Sequence, residues 1–433
     1  MGWCGSCGEQ RPLVEEALPE RRGRNARAAP AAKPRSIATV ETRASLRRST
    51  GLAELDRVLG GGLVQGSVVL IGGDPGIGKS TLALQACGAL ARQGLPVLYV
   101  AGEESPEQVR LRADRLGMGE SGVLILAETA AETVADLMQS ETPAAVVVDS
   151  IQTLHTAALA SAPGSVGQVR EAAGLLVTAA KASGVACFII GHVTKEGALA
   201  GPRVLEHLVD TVLYFEGDGA HALRVLRAVK NRFGSTNEVA VFEMREGGLA
   251  EVPNPSAAFL AERPVGAPGS AVLATLEGSR PVLVEIQALV SRSGLAMPRR
   301  TAIGLDAGRV ALLLAVLEKR ARLSLHEQDV FLNVAGGLRV DEPAADLAVV
   351  AAVASSMRGR ALPEDVVVWG EVGLTGEVRG VARAEARVRE AARLGFRRCV
   401  LPASNVRGLP PVDGVRVEGV AALDRLFDAV GLA

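Results

Sequence analysis

The chain has 433 residues, 48% of them hydrophobic, and a formal net charge of −1. This length predicts two or three domains. The near-neutral charge excludes a global basic field, so contacts with nucleic acid must come from local patches. The 5 cysteines are too few for a disulfide framework in so long a chain, which fits a reducing compartment. We find no signal-peptide pattern and no uncharged apolar run of about 18 residues, and expect a cytoplasmic protein without a membrane span.

The N-terminal segment, residues 1–45, carries a cysteine pair and a basic stretch. Cys4 and Cys7 form a C-x-x-C pair, which supplies half of a tetrahedral zinc site. The alternative is a free or redox-active pair, because the other three cysteines stand alone in the sequence. Residues 17–45 are rich in Arg, Ala and Pro, and they predict a basic linker.

From residue 46 onward, apolar runs alternate with helical stretches. This rhythm predicts a mostly parallel sheet covered by helices on both faces. The predicted strands are 68–71, 97–100, 123–126, 145–148 and 185–190, and the predicted helices include 106–116 and 168–182. Three further β-like segments, which we expect to extend the sheet as antiparallel strands, lie near 211–215, 222–228 and 238–242.

One loop of this region carries the clearest chemical signal. It joins an apolar strand to a helix-forming stretch and reads G-x-x-x-x-G-K-S, the phosphate-binding loop. Its glycines let backbone N–H groups surround a polyanion at a helix N-terminus. We expect Lys79 to reach the β- and γ-phosphates and Ser80 to bind Mg²⁺. The predicted nucleotide-binding residues are Gly73, Asp74, Pro75, Gly76, Ile77, Gly78, Lys79, Ser80 and Thr81.

Polar residues follow three of the predicted strands, at the sheet edge where α/β folds bind their ligands. Asp149 is expected to hold Mg²⁺ through water. Glu103 is our candidate for orienting the attacking water, and Glu104 is the second choice. The alternative is that both glutamates cap the helix that follows them, since acids favour helix N-termini. His192 either senses the γ-phosphate or has a structural role.

Lys230 and Arg232 belong to a cationic cluster, K-N-R-F-G, whose closest downstream acid is Glu238. Such a cluster forms a polar hairpin or, in an oligomeric ATPase, reaches the γ-phosphate on a neighbouring subunit. We predict that both charges are free to meet phosphates.

A Pro/Gly-rich stretch at 254–269 predicts a domain boundary, which divides the folded chain into 46–255 and 256–433. The second domain reads as α/β without a phosphate loop. Its predicted hairpin pairs 271–276 with 282–289. Its other predicted elements are helices 309–320, 344–356 and 383–394 and strands 330–334, 366–369 and 399–401.

Together these residues resemble the RadA/Sms family of bacterial DNA-repair ATPases. The matching features are the phosphate loop, the stretches 102–105 and 191–195, and the K-N-R-F-G cluster, which is a hallmark of that family. The resemblance covers the whole chain. It implies an α/β fold class, with a RecA-like P-loop NTPase core followed by a domain that resembles the Lon protease fold.

The resemblance also implies a function: a DNA-dependent ATPase in recombinational repair, with ATP and Mg²⁺ as cofactors. Family members form ring-shaped, hexameric motors that bind single-stranded DNA and drive branch migration of recombination intermediates alongside the RecA recombinase. Glu103 is implied as the general base, and Lys230 and Arg232 as interface residues that couple ATP to DNA. The loop with Lys195 and Arg203 is implied as a DNA contact. The alternative is a regulatory RecA-fold ATPase that binds proteins.

Two stretches depart from the family pattern. The family begins with a four-cysteine zinc knuckle, of which Cys4 and Cys7 represent the second half. Either the first half was lost or the natural start lies upstream of Met1, so zinc binding stays an open alternative. Lon proteases carry a serine nucleophile in a G-P-S-A-G stretch. The similar stretch here, residues 341–346, has Ala344 instead, and without a hydroxyl group Ser–Lys proteolysis cannot run.

Overall fold

The structure is a computed structural model, and it describes residues 47–192, 204–217, 222–294 and 297–432. Cys4, Cys7, Lys195 and Arg203 lie outside these ranges. The zinc and DNA-contact predictions for these four residues therefore stay predictions.

The first region alternates strands and helices, as its apolar runs predict. In chain order its elements are β1 (Arg47–Arg48), α1 (Ala53–Leu59), β2 (Leu63–Val64), β3 (Val68–Gly72), α2 (Lys79–Arg92), β4 (Val97–Ala101), α3 (Pro106–Arg115), β5 (Leu124–Ala127), α4 (Ala131–Ser140), β6 (Ala145–Asp149), α5 (Val166–Ser183), β7 (Ala186–Ile190), β8 (Thr211–Glu216), β9 (Leu223–Asn231), β10 (Val239–Arg245) and β11 (Gly248–Glu251).

Nine of these strands form one sheet in the order β11-β10-β9-β8-β3-β7-β6-β4-β5. The strands from β3 to β8 are parallel, which confirms the predicted parallel core. β9 and β10 are antiparallel additions, as predicted, and β11, which was not predicted, pairs antiparallel with β10. The prediction is wrong for β8, which pairs with β3 in parallel. A parallel strand must begin at the same end of the sheet as β3. The connection from Ile190 to Thr211 is long enough to return the chain to that end, whereas a hairpin turn is not.

The second region has its own sheet. Its elements are α6 (Pro255–Leu260), β12 (Ser270–Glu277), β13 (Arg280–Arg292), β14 (Arg300–Ile303), α7 (Ala307–Arg320), β15 (Gln328–Val334), α8 (Asp346–Arg358), β16 (Val366–Val368), β17 (Glu371–Val372), β18 (Val378–Arg379), α9 (Ala384–Arg393), β19 (Arg398–Pro402), α10 (Ala403–Val406), β20 (Arg416–Val420) and α11 (Leu423–Ala429).

Seven strands of this region pair in the order β14-β15-β13-β12-β16-β19-β20. The predicted hairpin is confirmed as β12 and β13, which pair antiparallel. The Ala- and Val-rich helix α8 is buried along its first ten residues, Asp346–Ser355, and packs against β12, β13 and α7. Within the described ranges, no helix is long and apolar enough to cross a membrane.

The two sheets meet at the turn between β12 and β13. Arg280 donates hydrogen bonds to Glu54 Oε2 at 3.1 Å and to the Pro253 carbonyl at 2.5 Å. Arg227 Nη2 on β9 lies 2.8 Å from Glu277 Oε2 on β12. Charged side chains thus connect the first sheet to the second one.

Candidate nucleotide site

The phosphate loop joins β3 to α2, and helix α2 begins at Lys79. Gly76 and Gly78 take positive φ angles of 75° and 118°, which other residues rarely adopt. A Cβ added at Gly78 would lie 3.0 Å from Met244 Cε. The sequence therefore needs glycine here to bring backbone N–H groups round an anion at the helix N-terminus.

Lys79 places its ammonium group inside this loop. Nζ donates to the carbonyl oxygens of Gly73 and Asp74, both at 2.9 Å, and the residue is 3% exposed. Burial lowers the pKa of Lys79, although the charges of Asp149, Asp74 and Glu103 oppose the shift. A buried cation enclosed by a glycine-rich loop suits the phosphates of a nucleotide.

Oxygen groups suited to Mg²⁺ lie beside the loop. Asp149 ends β6, Ser80 belongs to the first turn of α2, and the two line one small cavity together with Tyr99 and Glu103. Hydroxyl and carboxylate oxygens are the ligands that Mg²⁺ prefers, so this donor set fits the metal. The sequence analysis missed Tyr99, whose hydroxyl donates to Asp149 Oδ2 at 2.5 Å.

The structure distinguishes the two glutamates that follow β4. Glu103 accepts a hydrogen bond from the hydroxyl of Ser150, another residue that the sequence analysis missed. Glu104 instead pairs with Arg112. The capping alternative is wrong, because Ser105 and Gln108 form a capping box at the N-terminus of α3.

His192 follows β7 and faces Glu103. Its Nε2 lies 3.5 Å from Glu103 Oε1, and its backbone carbonyl accepts from Gln152 Nε2 at 3.2 Å. The hydrogen bond from His192 lowers the pKa of Glu103 to about 2. Burial opposes this shift, and the hydrogen bond from Ser150 adds to it. Three neighbouring strands thus bring Glu103, Ser150 and His192 together.

Lys230 and Arg232 lie near the N-terminal ends of the parallel strands, whereas their own phosphate loop lies at the C-terminal ends. Lys230 pairs in register with Val212 at the start of β8, whereas the loop follows the end of β3. The prediction that their charges are free is wrong. Lys230 Nζ donates to the carbonyls of Glu206 (2.6 Å) and Val209 (2.9 Å), and Arg232 Nη1 lies 3.3 Å from Asp210 Oδ1.

The stretch compared with the Lon nucleophile forms a 3₁₀ turn, Pro343–Ala345, in which Ala344 is buried. Beside it lies an ion pair that the sequence did not indicate. Arg387 Nη2 on α9 lies 2.7 Å from Glu342 Oε2, and the Arg387 side chain is 1% exposed. Arg387 also donates to the Ala382 carbonyl. Glu342 immediately precedes the turn, so this ion pair lies next to the position of the Lon nucleophile.

Comparison with known proteins agrees with both halves of the fold. Residues 48–123 match the KaiC ATPase family, and residues 315–419 match the Lon protease (S16) C-terminal proteolytic domain. With the phosphate loop and its neighbours, these matches define a RecA-like P-loop ATPase joined to a Lon-type domain, whose nucleotide ligand is ATP with Mg²⁺.

The chain is 54% identical to the DNA repair protein RadA of Bacillus subtilis (strain 168) over 428 residues, which cover 97% of this chain and 93% of that protein. It is also 54% identical to the DNA repair protein RadA of Pseudomonas aeruginosa PAO1 over 432 residues, or 99% and 95% of the two chains. A crystal structure of the RadB recombinase matches with 25% identity and a TM-score of 0.38, covering 47% of this chain and 99% of that one. The chain belongs to the RadA family of DNA repair proteins.

Proposed function

We propose that this chain is a DNA-dependent ATPase of recombinational repair, a branch-migration motor that processes recombination intermediates. One observation carries the ATPase part. Asp149 at the end of β6 and Glu103 just after β4 line one cavity, and the charges of both act on the pKa of Lys79 in the phosphate loop. A cation for phosphates, an oxygen ligand for Mg²⁺ and a carboxylate for water are the groups that phosphoryl transfer to water needs.

Each side chain has one task in this proposal. Lys79 binds the β- and γ-phosphates, and Ser80 and Asp149 hold the metal. Mg²⁺ held by these two residues would supply positive charge against the charge that develops on the phosphates. Glu103, kept ionised at neutral pH by its low pKa, accepts a hydrogen bond from the attacking water and orients it. His192 is within reach of Glu103 and suits a γ-phosphate sensor.

We place the proposed DNA coupling at subunit interfaces. Lys230 and Arg232 lie at the opposite end of the strands from their own phosphate loop, so the nucleotide they act on belongs to a neighbouring subunit. That arrangement requires an adjacent subunit, and we propose that the subunits form a homo-hexameric ring. Lys195 and Arg203 are the proposed DNA contacts, and the proposed partners are single-stranded DNA, branched intermediates and a RecA-type recombinase.

For the domain division we propose 46–255 and 256–433. Ser256 in α6 supports this boundary, because its hydroxyl accepts from the Leu283 amide of the second sheet at 3.0 Å. We propose that the Lon-like domain assembles the ring and contacts DNA without cleaving peptides, since Ala344 has no nucleophilic oxygen. Casein hydrolysis that disappears when residues 270–433 are deleted would overturn this.

The ATPase rate with and without single-stranded DNA tests the motor against the alternative, a regulatory ATPase that binds proteins. A motor is expected to be stimulated several-fold by DNA, and equal rates would favour the alternative. Lys79→Ala is expected to reduce turnover at least about a hundredfold, because the developing charge loses its buried cation. Near-normal turnover in that variant would refute the assignment of the nucleotide site.

Mixed rings test whether Lys230 acts in trans. Lys79→Ala and Lys230→Ala subunits are mixed and their co-assembly is confirmed. If Lys230 acts on the neighbour's nucleotide, some interfaces combine an intact loop with an intact Lys230, and activity partly returns. Failure to recover activity at every mixing ratio would show that Lys230 works within its own subunit or on DNA alone.

A further inference from the structure

Tyr99 occupies an unusual place for a tyrosine. It lies in the middle of β4, paired with Val147 of β6, and is 1% exposed. Its ring belongs to the apolar core that includes Val109 and Met118. Tyr99 also lines the small cavity that Ser80 and Asp149 share.

The phenol hydroxyl donates to Asp149 Oδ2 at 2.5 Å. Within the described parts of the chain, this is the one hydrogen bond recorded for the Asp149 side chain. One carboxylate oxygen is therefore tied to a rigid ring, and the other is left for a ligand.

We propose that Tyr99 is a positioning residue of the magnesium site, which holds the Asp149 carboxylate in the orientation that receives Mg²⁺ or its water shell. This inference rests on the proposed metal role of Ser80 and Asp149. The hydrogen bond fixes the rotamer of Asp149 before the metal arrives, so metal binding need not order that side chain. Loss of such an outer partner typically costs ten- to a hundredfold in metal affinity.

A purely structural role makes a different prediction. A buried phenol needs an acceptor, and Asp149 satisfies that need without any metal. Removing the hydroxyl would then lower the thermal stability of the protein and leave its response to Mg²⁺ unchanged. Stability and metal affinity must therefore be measured separately.

The test uses full-length Tyr99→Phe, which deletes one oxygen atom and keeps the ring. A fluorescent ADP analogue is titrated without metal, in EDTA, and then at fixed concentration with increasing free Mg²⁺. We expect metal-free affinity within about twofold of wild type and a half-saturating Mg²⁺ concentration raised about tenfold. Met118→Leu, a change in the same core away from Asp149, is the matched control and should leave both quantities unchanged.

A half-saturating Mg²⁺ concentration equal to that of the wild type would overturn the positioning role, whatever the thermal stability of the variant. If Tyr99→Phe does not fold, it is combined with Asp149→Asn, which removes the phenol hydroxyl and the carboxylate charge together. Rescue of folding, with a Mg²⁺ sensitivity equal to that of Asp149→Asn alone, supports the coupling. Greater loss in the double variant than in Asp149→Asn would contradict it. If wild type itself shows no Mg²⁺-dependent nucleotide binding, the proposed metal site fails instead.

Discussion

Glu277→Gln is expected to change how the stability of this protein depends on pH. Glu277 ends β12, is 4% exposed, and meets Arg227 of the ATPase sheet at 2.8 Å. Burial raises the pKa of Glu277 to about 7 from 4.5; Arg227 opposes the shift, and Glu216 and Glu342 add to it. The carboxyl group therefore binds its proton more tightly in the folded protein than in the unfolded chain.

The sign follows from proton linkage. Between the unfolded and the folded pKa the native state binds more protons, so the free energy of unfolding falls as pH rises. The contribution of Glu277 to the free energy of unfolding is complete below pH 4.5 and is lost as pH rises through about 7. With 1.36 kcal/mol per pKa unit, the part lost between about pH 5 and pH 8 is roughly 2.5 kcal/mol. Glutamine, which does not titrate, removes this loss.

The measurement is urea unfolding of both proteins at several pH values over that range. From the acidic to the alkaline end, the free energy of unfolding of the glutamine variant should rise by roughly 2.5 kcal/mol relative to that of the wild type. Glu243→Gln is the matched control: it breaks a surface pair with Arg245 at 2.6 Å, and should alter the pH dependence by less than about 0.5 kcal/mol. Parallel curves for wild type and Glu277→Gln would refute the reasoning.

Two other substitutions test neighbouring contacts. Ser150→Ala removes a donor from Glu103, so the pKa of Glu103 should rise and the acidic limb of the ATPase pH–rate profile should move to higher pH; an unmoved limb would show that this hydrogen bond does not set the pKa. Arg387→Met leaves Glu342 without its buried partner and should destabilise the protein by about 3 kcal/mol, measured by urea unfolding. A loss below about 1 kcal/mol would mean that Thr275, which donates to Glu342 at 2.7 Å, is a sufficient partner.

Features encoded by neighbouring residues could be predicted from the sequence. The phosphate loop needs glycines, a lysine and a serine within one turn, and a buried parallel strand needs a short apolar run, so both are readable without the fold. Helix α4 also carried a signal that we did not use. Its buried residues Ala131, Val134, Ala135 and Met138 follow the i, i+3, i+4, i+7 spacing of an amphipathic helix.

Contacts between distant segments could not be predicted. Tyr99 and Asp149 are separated by 50 residues, and only the parallel pairing of β4 with β6 brings them together. The same holds for Arg232, whose acidic partner Asp210 precedes it by 22 residues. A search for acids close in sequence misses this partner, because β8 and β9 lie between the two residues. β8 leads the chain away, and the antiparallel β9 returns it to the same end of the sheet.

The contacts of Arg227 connect the nucleotide site with the second domain. Its guanidinium group binds Glu277 of β12 at 2.8 Å and Glu216 at 2.9 and 3.2 Å. Glu216 is the last residue of β8. The next residue, Gly217, lies beside Ile77 of the phosphate loop, since a Cβ added at Gly217 would be 3.7 Å from Ile77 Cδ1. One partner of Arg227 is therefore adjacent in the chain to a residue that lies beside the phosphate loop. Because its other partner, Glu277, is buried at the end of β12, Arg227 links the strand that leads to the phosphate loop's neighbour with the second sheet through two ion pairs.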